Sequence, residues 1–305
     1  ASGMDRVFFC NSGAEGNEAA IKLARMFGHS RDIEVPGIIV TEGAFHGRTM
    51  GALTATHSSR HQEGFSPFLD GFYRVPFNDA KAVEESIKAN PNIVAVMVEP
   101  IQGEGGILLP DSDYLNKLRT LCDDNDLLLM LDEVQCGNGR TGKYFAYQHN
   151  NILPDVFSTA KGLGNGFPIG ACLARGKAAE IFQPGHHATT FGGSPLACAA
   201  ANAVYDAIQS ENLLENATVQ GDRIKFGISM RLQNASHVVA VRGKGLMIGI
   251  ELDKPCGELV EQAREKGLLI NVASGNVVRL VPPLNITAEE SDLIIETVSA
   301  LIENF

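Results

Sequence analysis

The chain has 305 residues, enough for one large domain or two of ordinary size. Hydrophobic residues make up 44% and charged residues 20%, a balance that supports a sizeable buried core. A formal net charge of −11 argues against a nucleic-acid or anionic-membrane partner, and no apolar run reaches the length of a membrane span. The six cysteines, Cys10, Cys122, Cys136, Cys172, Cys198 and Cys256, include no CxxC pair. They read as reduced thiols of a cytoplasmic protein, without a disulfide framework or a metal site. The sequence shows no secretory signal pattern, and it opens ASGMDRVFFC at the edge of a strand, as the middle of a longer protein would.

Residues 5–10 (DRVFFC) read as a strand. Ser12 and Glu15 then have capping-box spacing, so a helix is expected to begin there and run to about Phe27. A strand, a small-residue turn and a capped helix make an anion site, with free N–H groups and the helix dipole aimed at the ligand. Ser12, Gly13 and Ala14 are the candidates to bind a phosphate, although an ordinary capped helix has the same pattern. A strand at 36–41 leads into EGAFHGRTM, a turn with an aromatic able to stack on a ring (Phe45) and an arginine able to grip a carboxylate (Arg48). His46 attracts less attention than its neighbours. A short strand at 72–75, a helix at 80–89 and a buried strand at 93–98 follow. Next comes the glycine-rich loop IQGEGG with Glu104, then a helix at 114–122.

The organising stretch is 127–168. Residues 127–131 are a continuous apolar run, suited to a strand buried on both faces, and Asp132 follows directly. Residues 156–159 are a second strand, with Lys161 just beyond it. The 29-residue separation of Asp132 and Lys161 is about one strand–crossover–strand unit, and ligands in open α/β sheets bind past the carboxyl ends of strands. A lysine and an acid in one crevice suit pyridoxal phosphate, which is held by a lysine Schiff base and needs an acid beside its pyridinium nitrogen. A turn acid and a solvated loop lysine would look the same on this pair alone.

Further strands and helices are expected at 169–174, 196–208 and 213–232. A hairpin is read across 238–252 through Gly243-Lys244-Gly245, followed by a helix at 258–266, strands at 268–272 and 277–281, and a last helix reaching about Ile302. Alternating α/β gives way to α+β near residue 210, which places a large domain at 1–209 and a small one at 210–305. His186 and His187 lack a third ligand at usable spacing and read as loop residues.

The separated motifs NSGAEGNEAAIKLAR, FHGRT, VEPIQGEGG, LDEVQCGNGRTG, STAKGLGNGFPIG, TTFGGSP, GKGLMIGIEL and VVRLVPPLNIT together resemble class III pyridoxal-phosphate aminotransferases along nearly the whole chain. The resemblance implies fold type I, a mostly parallel sheet in the large domain with a smaller α+β C-terminal domain, and pyridoxal 5'-phosphate as cofactor. It implies Lys161 as the Schiff-base lysine and base, and Asp132 as partner of the ring nitrogen. Glu133, Val134 and Gln135 would complete the turn around the ring, with Phe45 stacked on the other face. Ser12, Gly13 and Ala14 would hold the phosphate, and Thr190 would reach the phosphate of a neighbouring subunit, which implies a homodimer with shared sites. Arg48 and Thr189 would contact substrate. Arg279 would hold the α-carboxylate of 2-oxoglutarate or glutamate, with Glu104 as its alternate partner.

FHGRT and RLVPPLNIT lean toward members that use N-acetylornithine as donor, in arginine biosynthesis. Succinylornithine, ornithine, succinyl-diaminopimelate and 4-aminobutyrate are the alternative donors. Two departures are mild: Gly16 stands where the family usually has Ala, and Ser194 where it has Asn. A larger one is that family members carry a further segment ahead of this chain's first residue. The spacing G-x-G-x-G at Gly162, Gly164 and Gly166 invites a nicotinamide-binding reading, but no acid follows at the required distance. A non-catalytic fragment is the remaining alternative, and cofactor binding separates it from an enzyme.

Overall fold

The apolar runs form two sheets in a computed structural model that describes residues 1–305. Ala1–Pro100, Pro110–Asn138 and Phe145–Tyr205 make one compact unit. Ile101–Leu109, Gly139–Tyr144 and Asp206–Phe305 make the other.

The first unit contains β1 (Arg6–Cys10), α1 (Gly13–His29), β2 (Gly37–Thr41), α2 (Met50–Ala55), α3 (Ser59–Gln62), β3 (Phe72–Val75), α4 (Ala80–Ala89), β4 (Ile93–Val98), α5 (Tyr114–Asp124), β5 (Leu128–Asp132), β6 (Val156–Thr159) and β7 (Gly170–Ala174). Its seven strands are ordered β1-β7-β6-β5-β4-β2-β3. The pairs from β3 across to β6 are parallel, and β7 runs antiparallel to both β6 and β1. Strands β2, β4, β5 and β6 are buried along their whole length, as parallel strands covered on both faces are. Ala20, Leu23, Ala24 and Phe27 of α1 pack on Ile38, Val94, Leu128, Met130 and Val156 of the sheet. Each large aliphatic side chain so buried contributes about 1.5–3 kcal/mol. Side chains alternate along a strand, so Asp132 shares the α1-facing side of β5 with Leu128 and Met130.

Glu133 is the next residue, and its placement corrects the expectation that it lies in the turn around a cofactor ring. Alternation sends it to the other side, where it is fully buried. Its carboxylate accepts from the amides of Ala146 (2.9 Å) and Tyr147 (2.8 Å), and the Cys136 thiol lies 3.1 Å away. Those amides open a short 3₁₀ segment, Ala146–Asn150, that has no other acceptor at its start. Glu133 therefore ties the turn after β5 to that segment.

Helix α6 (Pro195–Ser210) leads from the first unit into the second. The second unit adds α7 (Leu213–Arg231), β8 (Val238–Lys244), β9 (Met247–Leu252), α8 (Leu259–Glu265), β10 (Asn271–Ala273), β11 (Val277–Leu280) and α9 (Ala288–Glu303). Its antiparallel sheet is ordered β10-β11-β9-β8. Ile224 and Ile228 of α7 and Ile295 and Val298 of α9 cover Ile248, Ile250 and Val278. Two sequence expectations shift here. The hairpin turns at Gly245-Leu246 rather than at 243–245, because Gly243 and Lys244 stay paired with Ile248 and Met247. The strand expected at 268–272 begins only at Asn271, because the Leu268 amide is claimed by Ala263 at the end of α8.

Close packing makes two predictions. A Cβ at Gly221 of α7 would lie 2.1 Å from the Gly245 carbonyl oxygen. Helix propensity favours Ala by about 1 kcal/mol, while overpacking costs about 1–3 kcal/mol. Gly221→Ala should therefore lower the urea midpoint, and a raised midpoint would show that the turn can yield. The second concerns Glu133, whose carboxyl burial pushes up to about 7, against the hydrogen bonds from the two amides. A carboxyl raised in the fold stabilises the protein at low pH, and that contribution is lost as pH rises through the folded value. Stability should fall between about pH 4.5 and 7 by up to about 3 kcal/mol. Glu133→Gln should lack this slope in urea midpoints taken across the range. Equal slopes would mean that the carboxylate is ionised throughout.

Candidate active site

A cavity of about 430 Å³ lies within the first unit, at the carboxyl ends of its parallel strands. That volume suits a small-molecule ligand. Five strands deliver residues to it. Ser12, Gly13 and Ala14 follow β1. Phe45, His46 and Arg48 follow β2, and Glu99 follows β4. Asp132 ends β5, with Val134 and Gln135 just beyond, and Lys161 follows β6.

One end of the cavity is built for an anion. Ser12 is the N-cap of α1, and its hydroxyl accepts from the Glu15 amide at 3.2 Å. The Glu15 carboxylate turns back to the Asn11 amide (3.0 Å) and the Asn11 side chain (2.8 Å). The capping box expected from S-x-x-E thus closes on the Asn11 amide rather than on the Ser12 amide. Gly13 and Ala14 are the first two helical residues, whose N–H groups have no acceptor within the helix. With the dipole of a 17-residue helix behind them, these amides favour negative charge. Gly13 is required by its neighbour, since a Cβ there would lie 2.6 Å from Val134 Cγ1.

The other end holds Asp132, which is 3% exposed. Its Oδ1 accepts from the Val134 amide at 3.0 Å. Its Oδ2 lies 2.7 Å from Asn17 Nδ2 and 2.8 Å from His46 Nδ1. Burying this carboxylate is feasible because three groups meet it. His46 is 2% exposed, and its Nε2 has no hydrogen-bond partner.

Lys161 lies in a single 3₁₀ turn directly after β6 and adopts φ +46°. Left-handed backbone at a residue with a Cβ is costly and recurs at functional sites. Phe45 is set by its amide, which donates to the buried Glu99 carboxylate at 3.1 Å. The Arg48 guanidinium lies over the Phe45 ring at 5.6 Å. The cavity thus has an anion-binding end, a carboxylate end, apolar side chains in Phe45 and Val134, and a primary amine.

Of the residues singled out from the sequence, Ser12, Gly13, Ala14, Phe45, Arg48, Asp132, Val134, Gln135 and Lys161 line this one cavity. Glu133 does not. Neither Thr189 nor Thr190 lines it: Thr189 Oγ1 accepts from Asn11 Nδ2 at 3.3 Å, and Thr190 is exposed. Arg279 and Glu104 belong to the second unit, where Arg279 Nη1 and Glu104 Oε1 are 2.6 Å apart. Sequence reasoning missed Asn17, Glu99 and Asn11 and undervalued His46. For Asn17 a signal existed, an amide among the alanine and aliphatic positions of the inward face of α1.

Residues 1–302 match the family described as aminotransferase class-III. The chain is 55% identical over 304 residues to an acetylornithine aminotransferase of Nitrosomonas europaea, covering 100% of this chain and 77% of that protein. An N-acetylornithine aminotransferase from Stenotrophomonas maltophilia has a similar structure, with TM-score 0.84, 38% identity and coverage of 99% and 76% of the two chains. So does an ornithine aminotransferase from Toxoplasma gondii described with partial occupancy of PLP at its active site, with TM-score 0.94, 34% identity and coverage of 99% and 74%. With a mostly parallel sheet that ends on an acid and a lysine in one cavity, and a family match across nearly its whole length, this chain belongs to the class-III aminotransferases.

Proposed function

We propose that this chain transfers the δ-amino group of N-acetyl-L-ornithine to 2-oxoglutarate with pyridoxal 5'-phosphate, giving N-acetyl-L-glutamate 5-semialdehyde and L-glutamate. The observation that carries the reading is the convergence of Asp132, Lys161 and the N-terminus of α1 on one cavity of about 430 Å³. The residues present fit the cofactor. A phosphate suits the amides of Gly13 and Ala14 with Ser12 beside them, and a planar ring suits the apolar side chains of Phe45 and Val134. Asp132 offers a buried acceptor for a ring N–H, and Gln135 a polar neighbour for the ring hydroxyl. Bound there, the cofactor supplies an aldehyde carbon for the amino group and a protonated ring that withdraws electrons from it.

The chain's own residues do the rest. Lys161 Nζ holds the cofactor between turnovers and then serves as the base that takes the proton from the amino-bearing carbon of the donor. Asp132 holds the proton on the ring nitrogen, and its burial keeps water from competing for that bond. Arg48 and Thr189 are assigned to substrate, and Arg279 to the α-carboxylate of 2-oxoglutarate. The Glu104–Arg279 pair lets one enzyme use an acceptor that brings this carboxylate and a donor that presents none to Arg279, without leaving the arginine unpaired in either half-reaction. Thr190 is assigned to the phosphate of a second subunit in a homodimer. No helix is long and apolar enough to cross a membrane. Arginine biosynthesis in the cytoplasm is the setting these assignments support.

The test is the visible spectrum of the purified protein with added pyridoxal phosphate, before and after N-acetylornithine. A cofactor band that N-acetylornithine bleaches, and that Lys161→Ala lacks, is the expected result. Turnover in Lys161→Ala should fall by about 10²–10⁴-fold or more. A band that responds to ornithine and not to its acetylated form would move the assignment to that donor, and no band in folded protein would remove it. Glu104→Ala should favour the glutamate half-reaction over the N-acetylornithine half-reaction, as read from the two single-turnover rates. An unchanged ratio would count against the assigned pair.

A further inference from the structure

Asn17 is 1% exposed and lies on the inward face of α1. Its amide joins four elements. Nδ2 donates to Asp132 Oδ2 at the end of β5 (2.7 Å) and to the carbonyl oxygen of His46 in the loop after β2 (2.7 Å). Oδ1 accepts from the Ser158 hydroxyl of β6 at 2.5 Å. Asp132 and Ser158 are register partners on adjacent strands. Each is two residues beyond a side chain, Met130 or Val156, that packs in the core beneath α1, so both face that helix. The amide has one acceptable orientation. Flipped, its oxygen would face a carboxylate and a carbonyl, and two donor–acceptor pairs would become repulsive contacts.

A carboxylate offers about four acceptor positions, two on each oxygen. On Asp132, Oδ2 takes Asn17 Nδ2 and His46 Nδ1, and Oδ1 takes the Val134 amide. The one position left is on Oδ1. Given the cofactor reading above, on which this step rests, we infer that Asn17 is a positioning residue that turns the Asp132 carboxylate. It saturates Oδ2 within the protein and leaves Oδ1 to meet the ring nitrogen. His46 bonds the same oxygen but is not its equal. The His46 carbonyl oxygen is itself held by Asn17, so loss of the Asn17 amide removes one donor to Oδ2 and loosens the seat of the other, whose amide still donates to Thr56. Ser158 acts one step further out, by fixing which end of the amide faces Asp132.

The experiment compares wild type, Asn17→Ala, Ser158→Ala and Ser158→Thr, each saturated with pyridoxal phosphate. Three quantities are read: the position of the visible band at one fixed pH, the cofactor dissociation constant, and kcat apart from KM for the donor. Asn17→Ala should displace the band, weaken cofactor binding and lower kcat by about 10–100-fold, with KM nearly unchanged. Ser158→Ala should move all three in the same direction by less, and Ser158→Thr, which keeps the hydroxyl, should restore them. A loaded Asn17→Ala protein with the wild-type band and kcat, changed only in thermal midpoint, would overturn the inference by reducing Asn17 to a packing role. If Asn17→Ala does not fold, Ser158→Ala measured against Ser158→Thr decides by the same readouts. Failure of the wild type to take up pyridoxal phosphate is a separate result, and it overturns the functional reading itself.

Discussion

A carboxylate cannot be taken out of water without donors to meet it, and Asp132 is 97% removed from solvent. Its three donors come from the second turn of α1, from the loop after β2 and from the turn after β5. None of these elements can shift without leaving a buried charge short of a partner, a loss costing several kcal/mol. Three sides of the cavity are tied to one another through Asp132 for this reason.

Helix α1 serves both ends of that cavity. Gly13 presents the first-turn amides, and Asn17, one turn later, reaches Asp132. The two lie about 6 Å apart along the helix axis, a separation fixed by the helix itself. Gly13 also lets Val134 pack against the helix start, so the apolar wall is set by the same element. An anion end, an acid end and a ring-facing wall are thus built on one rigid piece. Loops carry Phe45 and Lys161, each held by its own constraint. For Phe45 it is the Glu99 carboxylate, and for Lys161 a left-handed backbone just past a buried strand.

In the second unit, Glu104 sits on a loop that is tied down elsewhere. Arg242 donates to the carbonyl oxygens of Gly106 and Ile107 and forms an ion pair with Glu251, while the Ser274 hydroxyl donates to the Glu104 carbonyl oxygen. The loop backbone is fixed, and the Glu104 side chain, 37% exposed, is held through Arg279. Arg279 is fixed from the other side, because its register partner Asn271 accepts from Nη2 at 2.8 Å. A pair made of one anchored guanidinium and one partly exposed carboxylate suits the exchange proposed for it.

Local signals carried much of this in the sequence. The uninterrupted apolar runs at 93–98 and 127–131 announced buried parallel strands, and Ser12 with Glu15 announced the start of α1. Asp132 was legible because it directly follows such a run, and Lys161 because it stands just past the strand at 156–159. These are properties of neighbouring residues, and short-range geometry is enough to express them. Glu133 shows the limit. It reads as one residue of a turn, yet the amides it serves are 13 and 14 positions away. The turn at Gly245-Leu246 and the late start of β10 were misplaced because backbone pairing, which residue type does not announce, decides where a strand starts and stops. Asn17 left a local trace as an amide on the inward face of α1, but its role did not show, because its partners lie 29, 115 and 141 residues away. The sequence by itself determined which strands form, where α1 begins and which acid and lysine stand at strand ends. Only the tertiary structure decided which way each side chain turns and which donors satisfy the buried acid, because hydrogen-bond partners are chosen by distance in space and not along the chain.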